Sequence, residues 1–444
     1  MTLGDGSAQR VLVLLSDDLG SRLAGPGIRA LAIARVLRAD GHQVTLATLG
    51  DVEQGFDAVE LRGDVARRLV DASDVVVVSG PIFTLMPWLG DRPQPIVVDL
   101  YNPFHVELLG QAAARDIEVD PDALASVTAD IAAQLGRADL VLASNERQRD
   151  LWLGQLAGLG RLRPDGELDG LVRLAPFGVD ASPAATEGAI RGTHGVGEDD
   201  VLLLWAGGIH DWFDPLTLID AISIASATDS RVKLFFLSSS GPDGRIDPAS
   251  TAARARRHAA ELGLDGSHVI FNERWVDYEA RAAYLVDADI GVTTHALSLE
   301  TRFSHRTRNL DYFWAGLPII ATEGDVFAEI IERTQSGVVV PERDAHALAA
   351  AILELAVDPV RRAELAEHSR TVGESLHWEQ TLGELREFVA RPHRSSVPPV
   401  LGAAVGPGRG VASLAGTALR ALRAGGPGRV LQLLRDRRRR RSLG

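Results

Sequence analysis

The chain has no cysteine in its 444 residues. That excludes a disulfide framework, a thiolate metal site and a thiol nucleophile, and it suits a reducing cytoplasm. No apolar run approaches the length of a membrane span. The opening MTLGDGSAQR lacks the apolar core of a signal peptide and runs straight into a strand pattern. Positive charge is scarce in the body. Residues 391–444 hold 12 Arg and a single acid, Asp436, which leaves 34 of the 46 basic and 59 of the 60 acidic groups in residues 1–390, a net of −25. So acidic a body argues against general nucleic-acid binding.

What is present is an α/β pattern, 45% hydrophobic with 44 glycines and long enough for two domains and a tail. Short β-branched runs are predicted as strands at Val11–Leu15, Gln43–Thr48, Val75–Ser79, Ile96–Leu100, Leu140–Ala143 and Arg173–Ala175. Amphipathic stretches at Gly27–Asp40, Pro121–Leu135 and Glu146–Ala157 separate them. After a stretch rich in Ala, Gly, Pro and Thr (Asp180–Asp199) the pattern restarts. Strands follow at Val201–Trp205, Val232–Ser238, Val269–Asn272, Ile290–Thr294, Pro318–Thr322 and Val338–Val340, again with helices between them, and His377–Val389 reads as a late helix. Such alternation means parallel sheets covered on both faces, and two copies give two Rossmann-like, doubly wound domains.

Residues Thr301 to Asp325, TRFSHRTRNLDYFWAGLPIIATEGD, carry the most information. A polar, basic turn leads into a helix that stops at Gly316, with Pro318 just beyond and an apolar strand after it. Arg308, Asp311 and Ala315 fall at i, i+3 and i+7 on one stripe, beside an apolar stripe of Leu310, Phe313 and Trp314. The helix therefore holds a guanidinium and a carboxylate near its N-terminus, the end whose free N–H groups attract phosphate. An Arg–Asp pair at this spacing also reads as an ordinary solvated ion pair.

This arrangement resembles the donor-binding segment of GT-B glycosyltransferases, in particular the retaining group called family 4. There a Glu, seven residues and a second Glu precede Ala-x-Ala-x-Gly-x-Pro and a strand. Counting back from Gly316 and Pro318 puts Asp311 at the second acidic place, which in the family holds the nucleotide's ribose. Phe303 falls at the first; Glu300 is three residues too early. Arg306-Thr307-Arg308-Asn-Leu-Asp311-Tyr also looks like a Ser-Lys-x-x-Glu-Tyr variant of related transferases, with Arg308 at the Lys place beside the diphosphate.

Ligands of open parallel sheets collect at the carboxyl ends of the strands, so four loops matter. The first holds Gly25-Pro-Gly27-Ile-Arg29 before a helix, where glycines let backbone N–H groups approach phosphate; it also reads as a flexible loop and helix start. The second, Asp99-Leu-Tyr-Asn-Pro-Phe-His105, lies where relatives often carry a cleft His, and Asp99 or His105 could contact the transferred sugar. A His beside Phe and Pro is as often a packed residue. The third, after Trp205, has Gly207 and Gly208, with Gly208 at the family's Arg place and Phe213 near its Lys place. The diphosphate would then depend on Arg29, Arg306 and Arg308. The fourth holds Trp275 and Val276, where relatives contact the base with backbone groups and Trp275 could stack on it.

The resemblance implies a GT-B architecture, two Rossmann-like domains facing a cleft. Residues 1–182 would take the acceptor and 183–375 the nucleotide-sugar, 376–392 would cross back to the first domain, and 393–444 form an Arg-rich tail. It implies sugar transfer from a nucleoside-diphosphate sugar to a glycan, lipid-linked or small-molecule acceptor, as in cell-surface polysaccharide biosynthesis, with configuration retained and neither cofactor nor metal. Two other classes stay open. One is a non-catalytic GT-B protein that binds sugars or a partner, consistent with the missing Arg and Lys. The other is a nicotinamide enzyme, disfavoured because about ten residues separate the first strand from its Gly-x-Gly-x-x-Ala. The tail, with Arg437–Arg441 at its end, reads as a solvated end or as a basic segment lying on anionic lipid at the inner membrane face.

Overall fold

The computed structural model describes residues 8–400 apart from 21–22, 63, 163–167, 182–186, 239–246, 249 and 274–275. The tail beyond residue 400 and Trp275 lie outside the described residues. The chain divides into two compact units. The first takes the chain up to Leu109, then Glu118–Gly178 and, among the described residues, Trp378 to Val400; the second takes Gly110–Ile117 and Val179–His377.

Seven strands form the first sheet: β1 (Arg10–Leu15), β2 (Gln43–Thr48), β3 (Val59–Glu60), β4 (Val75–Ser79), β5 (Ile96–Asp99), β6 (Leu140–Ala143) and β7 (Val172–Leu174). Their order is β3-β2-β1-β4-β5-β6-β7, and every pairing is parallel. The central strands are buried from end to end, as in Val75–Ser79 and Ile96–Asp99. That is why they read as unbroken apolar runs rather than alternating ones.

The second sheet has β8 (Val201–Trp205), β9 (Val232–Phe236), β10 (Val269–Phe271), β11 (Ile290–Thr293), β12 (Ile319–Thr322) and β13 (Gly337–Val340), in the parallel order β10-β9-β8-β11-β12-β13. Both orders reverse direction beside the first strand of the sheet, between β1 and β4 and between β8 and β11. These are the switch points where an open α/β sheet takes its ligands. Helix starts carry the expected chemistry. Asp120, Asp214, Asp325, Asp344 and Asp358 each accept a backbone N–H of the helix that follows.

Three elements differ from the sequence reading. A helix, Phe104–Ala114, begins directly after Pro103, in what reads as a loop. The late helix is broken at Leu382 into Trp378–Thr381 and Gly383–Ala390; Gly383 at the break favours it. The segment from Arg394 to Pro399, expected as the start of the Arg-rich tail, is docked on the first unit. Asp139 accepts from the Arg394 side chain at 3.1 Å and the Ser395 N–H at 3.0 Å. Buried Arg161 donates to Val397 O at 3.3 Å, and Val400 N–H to Gly136 O at 2.9 Å.

Candidate functional site

The second unit concentrates polar chemistry at the carboxyl ends of β8, β11 and β12. The loop after β8 is fastened to the residues after β11. Asp214 N–H donates to Thr294 O at 3.0 Å, the Thr294 hydroxyl to Asp214 O at 2.6 Å, and Phe213 bridges to His295. Gly207 in this loop has φ +105°, a conformation that favours glycine.

The helix Thr307–Ala315 is pinned against the same edge by Tyr312, which is fully buried. Its hydroxyl lies 2.8 Å from the carbonyls of Leu204 and Val292 and accepts from Ala206 N–H at 3.0 Å. Gly291 on β11 leaves room for the ring, since a Cβ there would sit 2.4 Å from it. Leu310, Phe313 and Trp314 are buried, as the apolar stripe requires, and Gly316 ends the helix with φ +66°. No side chain caps the helix start.

So positioned, Arg308 enters an aromatic box. Its guanidinium carbon is 4.0 Å from the Trp205 ring centre and 4.2 Å from that of Phe213, and Nη2 donates to Gly208 O at 2.6 Å. Nε and Nη1 are buried without hydrogen-bond partners. Burial, together with the Arg306 charge, pulls its pKa down. Nearby, Nδ1 of His295 and both amide atoms of Asn309 are also buried and without partners. Buried polar groups are nearly always satisfied, by protein, water or ligand, so this density marks a place where more than protein atoms belong.

Arg306, by contrast, is paired with two carboxylates. It is buried, with Glu300 at 2.9 Å, Asp325 at 3.4 Å and the Thr301 hydroxyl at 3.3 Å. Its charge is neutralised within the protein, which corrects its expected role as a donor cation. Glu300, three residues from the family's acidic place, holds this arginine instead. His295 stays neutral, because burial first and the two arginines second hold it well below the usual histidine range; its Nε2 lies 3.1 Å from Glu323 O.

Asp311 is partly exposed and accepts from Arg281 Nε at 2.9 Å. Burial raises its pKa, against the pull of Arg281. Thr307 is exposed at the helix start, and Val276 is half-buried. The structure thus gathers Gly207, Gly208 and Arg308, with Arg306 bound to carboxylates beside them, and places Thr307 and Asp311 on the same helix as Arg308.

The first-unit candidates behave differently. Arg29 and Asp99 are given to each other: Nε and Nη2 donate to the carboxylate at 2.7 and 2.9 Å, with both side chains 1% exposed. The remaining donors of Arg29 reach Ala175 O at 2.8 Å and Pro176 O at 3.0 Å. Neither group is free to face a ligand, which corrects both expectations. The pair is a buried tie between the helix Gly25–Ala39 and β5. Gly25 and Gly27 lie in the first turn of that helix rather than in a loop, and a Cβ on Gly25 would be 3.2 Å from the Tyr101 hydroxyl. His105 packs against Trp152, with Nε2 3.0 Å from Gln155 Nε2, and burial lowers its pKa.

Sequence reasoning missed His210 and Trp212, whose rings stack at 4.8 Å and 19° in the loop after β8, and it missed His295. The rule that found the loops covers all three, since each lies just past a strand of the switch point.

Residues 200–358 match the family model described as glycosyl transferases group 1. No curated protein matches the sequence. Among solved structures, HepE of Anabaena in complex with UDP and glucose is 14% identical with a TM-score of 0.63, covering 86% of this chain and 99% of that one. Sucrose-phosphate synthase of Thermosynechococcus elongatus is 18% identical, with a TM-score of 0.59 and coverage of 86% and 98%. The E. coli trehalose-6-phosphate structure bound with UDP-2-fluoro glucose is 12% identical, with a TM-score of 0.60 and coverage of 86% and 100%. These likenesses establish the fold: two Rossmann-like units of the GT-B kind.

Proposed function

We propose that the chain is a glycosyltransferase that moves a sugar from a nucleoside-diphosphate sugar to a glycan, lipid-linked or small-molecule acceptor. The donor binds at the carboxyl edge of β8 and β11, and the acceptor binds the first unit. The observation that carries this reading is Arg308, a buried guanidinium with two unpartnered nitrogens beside Gly207, Gly208 and an uncapped helix start. A diphosphate leaving group needs such stabilisation, since its charge grows as the sugar departs. Arg308 and the helix N–H groups meet the diphosphate in place of the family's Arg and Lys. Asp311, held by Arg281, accepts from the ribose hydroxyls. Transfer retains configuration and uses no metal.

Structures similar to this one hold UDP and UDP-sugars, so UDP is the first nucleotide to test. Calorimetry on the whole chain is expected to show UDP binding, and UDP-glucose is expected to be slowly hydrolysed in the absence of acceptor. A flat titration across the nucleoside diphosphates would remove the donor site. Binding without any hydrolysis or transfer would favour the second reading, a non-catalytic sugar-binding protein. That reading has one observation behind it: Phe213, near the family's Lys place, packs on Trp205 with ring centres 5.2 Å apart.

Among the described residues no helix is long and apolar enough to cross a membrane. The Arg-rich tail holds the enzyme on anionic lipid at the cytoplasmic face.

A further inference from the structure

The proposed donor site is short of positive charge. Arg29 is paired with Asp99, and Arg306 with Glu300 and Asp325. Among the candidate cations that leaves Arg308, whose spare nitrogens face no protein partner. A nucleoside diphosphate carries more negative charge than one guanidinium offsets. His210 is a further group at this place that can become a cation.

Its position follows from the loop after β8. Gly207 turns the chain at φ +105°. Asp211 anchors the loop, accepting from Arg115 Nε and, at 3.0 Å, from the Thr251 N–H. The Phe213 N–H closes a turn on His210 O at 3.1 Å. His210, beside the anchored aspartate, is exposed, and its ring lies along the two glycines. A Cβ on Gly208 would be 3.4 Å from its Nε2, and a Cβ on Gly207 would be 3.8 Å from Arg308 Nη2. Imidazole and guanidinium thus border the same glycine pair. Among the described residues neither ring nitrogen of His210 has a hydrogen-bond partner.

The surroundings keep this ring neutral while the site is empty. It stacks on Trp212, and the Phe213 ring centre is 6.1 Å away. The imidazole is therefore poorly hydrated although the residue reaches solvent. That desolvation, and then the Arg308 charge, lower its pKa; Asp211 raises it and Arg306 lowers it further. Asp211 is already engaged by Arg115, and Asp214, the next acid of the loop, caps the helix Pro215–Thr228. A diphosphate reverses the balance. It offsets Arg308 and offers acceptor oxygens, so a protonated imidazole gains a charge-assisted hydrogen bond. The same cation is attracted by the indole face on which it rests.

We propose that His210 is a proton-linked cation of the donor site: neutral in the free protein, it takes up a proton from solvent as the diphosphate binds. The proton goes to a ring nitrogen, and no bond of the sugar changes. The inference rests on the donor reading and adds a regulation to it, a donor affinity that rises as pH falls.

The test is calorimetry of UDP binding to the full chain in buffers of low and high ionisation heat, which counts the protons exchanged. His210→Gln is the comparison, and it also subtracts the titration of UDP itself. At about pH 6 wild type is expected to take up more protons than the variant. From about pH 6 to about pH 8 its affinity is expected to fall roughly five- to tenfold more than that of the variant. His210 is an exposed loop residue, so the variant is expected to fold, and a loss of packing alone would not alter the proton count. Equal proton counts, or equal pH dependence, in the two proteins overturn the proposal while leaving the donor site standing. UDP that fails to bind wild type at any pH removes the donor reading, and this inference with it.

Discussion

Arg29 and Asp99 show how two residues of catalytic type can serve structure alone. Both are charged and both lie at the carboxyl edge of a parallel sheet, yet each satisfies the other at 1% exposure. Removing one partner leaves an uncompensated buried charge, at a cost of about 3–5 kcal/mol. Asp99→Ala is therefore expected to lower the stability of the first unit by that order, measured by urea unfolding. An Asp99→Ala protein as stable as wild type but inactive would return Asp99 to the catalytic list. Arg308 is the opposite case, a buried cation with donors to spare. Arg308→Gln is expected to reduce transfer by roughly 10²–10³-fold while weakening UDP binding far less, because the charge it meets develops in the transition state. Equal turnover in mutant and wild type would show that the diphosphate is handled elsewhere.

At the scale of elements, the helix Pro121–Arg137 holds another helix through one carboxyl group. Asp130 accepts the Thr84 N–H at 2.5 Å and is bonded to Gln134, whose amide also reaches Gly80 O. Burial raises its pKa from 3.8 to about 6. The folded state then holds the proton more tightly than the unfolded chain does. Asp130 consequently contributes stability at pH 4 that is lost as the pH rises towards 6, about 3 kcal/mol in all. Asp130→Asn is expected to flatten the difference between unfolding curves taken at pH 4 and pH 6.5. An unchanged slope would mean the carboxyl is ionised throughout. The docked segment near the end of the described chain gives a second element-scale prediction. A chain ending at residue 400 keeps the Arg394, Val397 and Val400 contacts, whereas one ending at 390 leaves Arg161 and Asp139 buried without them. The shorter chain is expected to melt several degrees lower by calorimetry, a ΔΔG of about 1–3 kcal/mol; equal melting would make the segment a passive linker.

What the sequence made legible follows the same physics. Buried parallel strands announce themselves as apolar runs, and the stripe on Thr307–Ala315 placed Arg308 and Asp311 together because helix geometry relates near neighbours. The β3 strand is two residues long and carries no pattern. The Arg29–Asp99 tie joins positions 70 apart and leans on two further carbonyls, and no local spacing encodes such a meeting. Glu300 was set aside because it broke a motif's register; its actual partner, Arg306, is decided by the turn between two helices.

Across the whole molecule, charge is segregated between an acidic body and a basic end. Of the 12 Arg from residue 391 on, ten lie beyond residue 400 and five are consecutive, Arg437–Arg441. Each arginine near an anionic surface contributes roughly 1 kcal/mol at low salt. Removing residues 401–444 is expected to leave UDP binding intact and to abolish co-sedimentation with phosphatidylglycerol vesicles. If full-length and shortened chains stay equally in the supernatant, the tail is a solvated end.

The division into units also has a consequence for biosynthesis. The first unit is interrupted by Val179–His377 and completed by Trp378 onward. Trp378, 1% exposed, packs with its ring centre 4.8 Å from that of Phe177, and Arg386 grips Asp40 at 2.7 and 2.6 Å. A ribosome delivering roughly 5–20 residues per second needs on the order of 10–40 s to pass from Gly178 to Trp378. Throughout that interval the first sheet is present without its closing helices, while the second unit, which ends at His377, is being made. The part of the protein made first is thus the last to become complete.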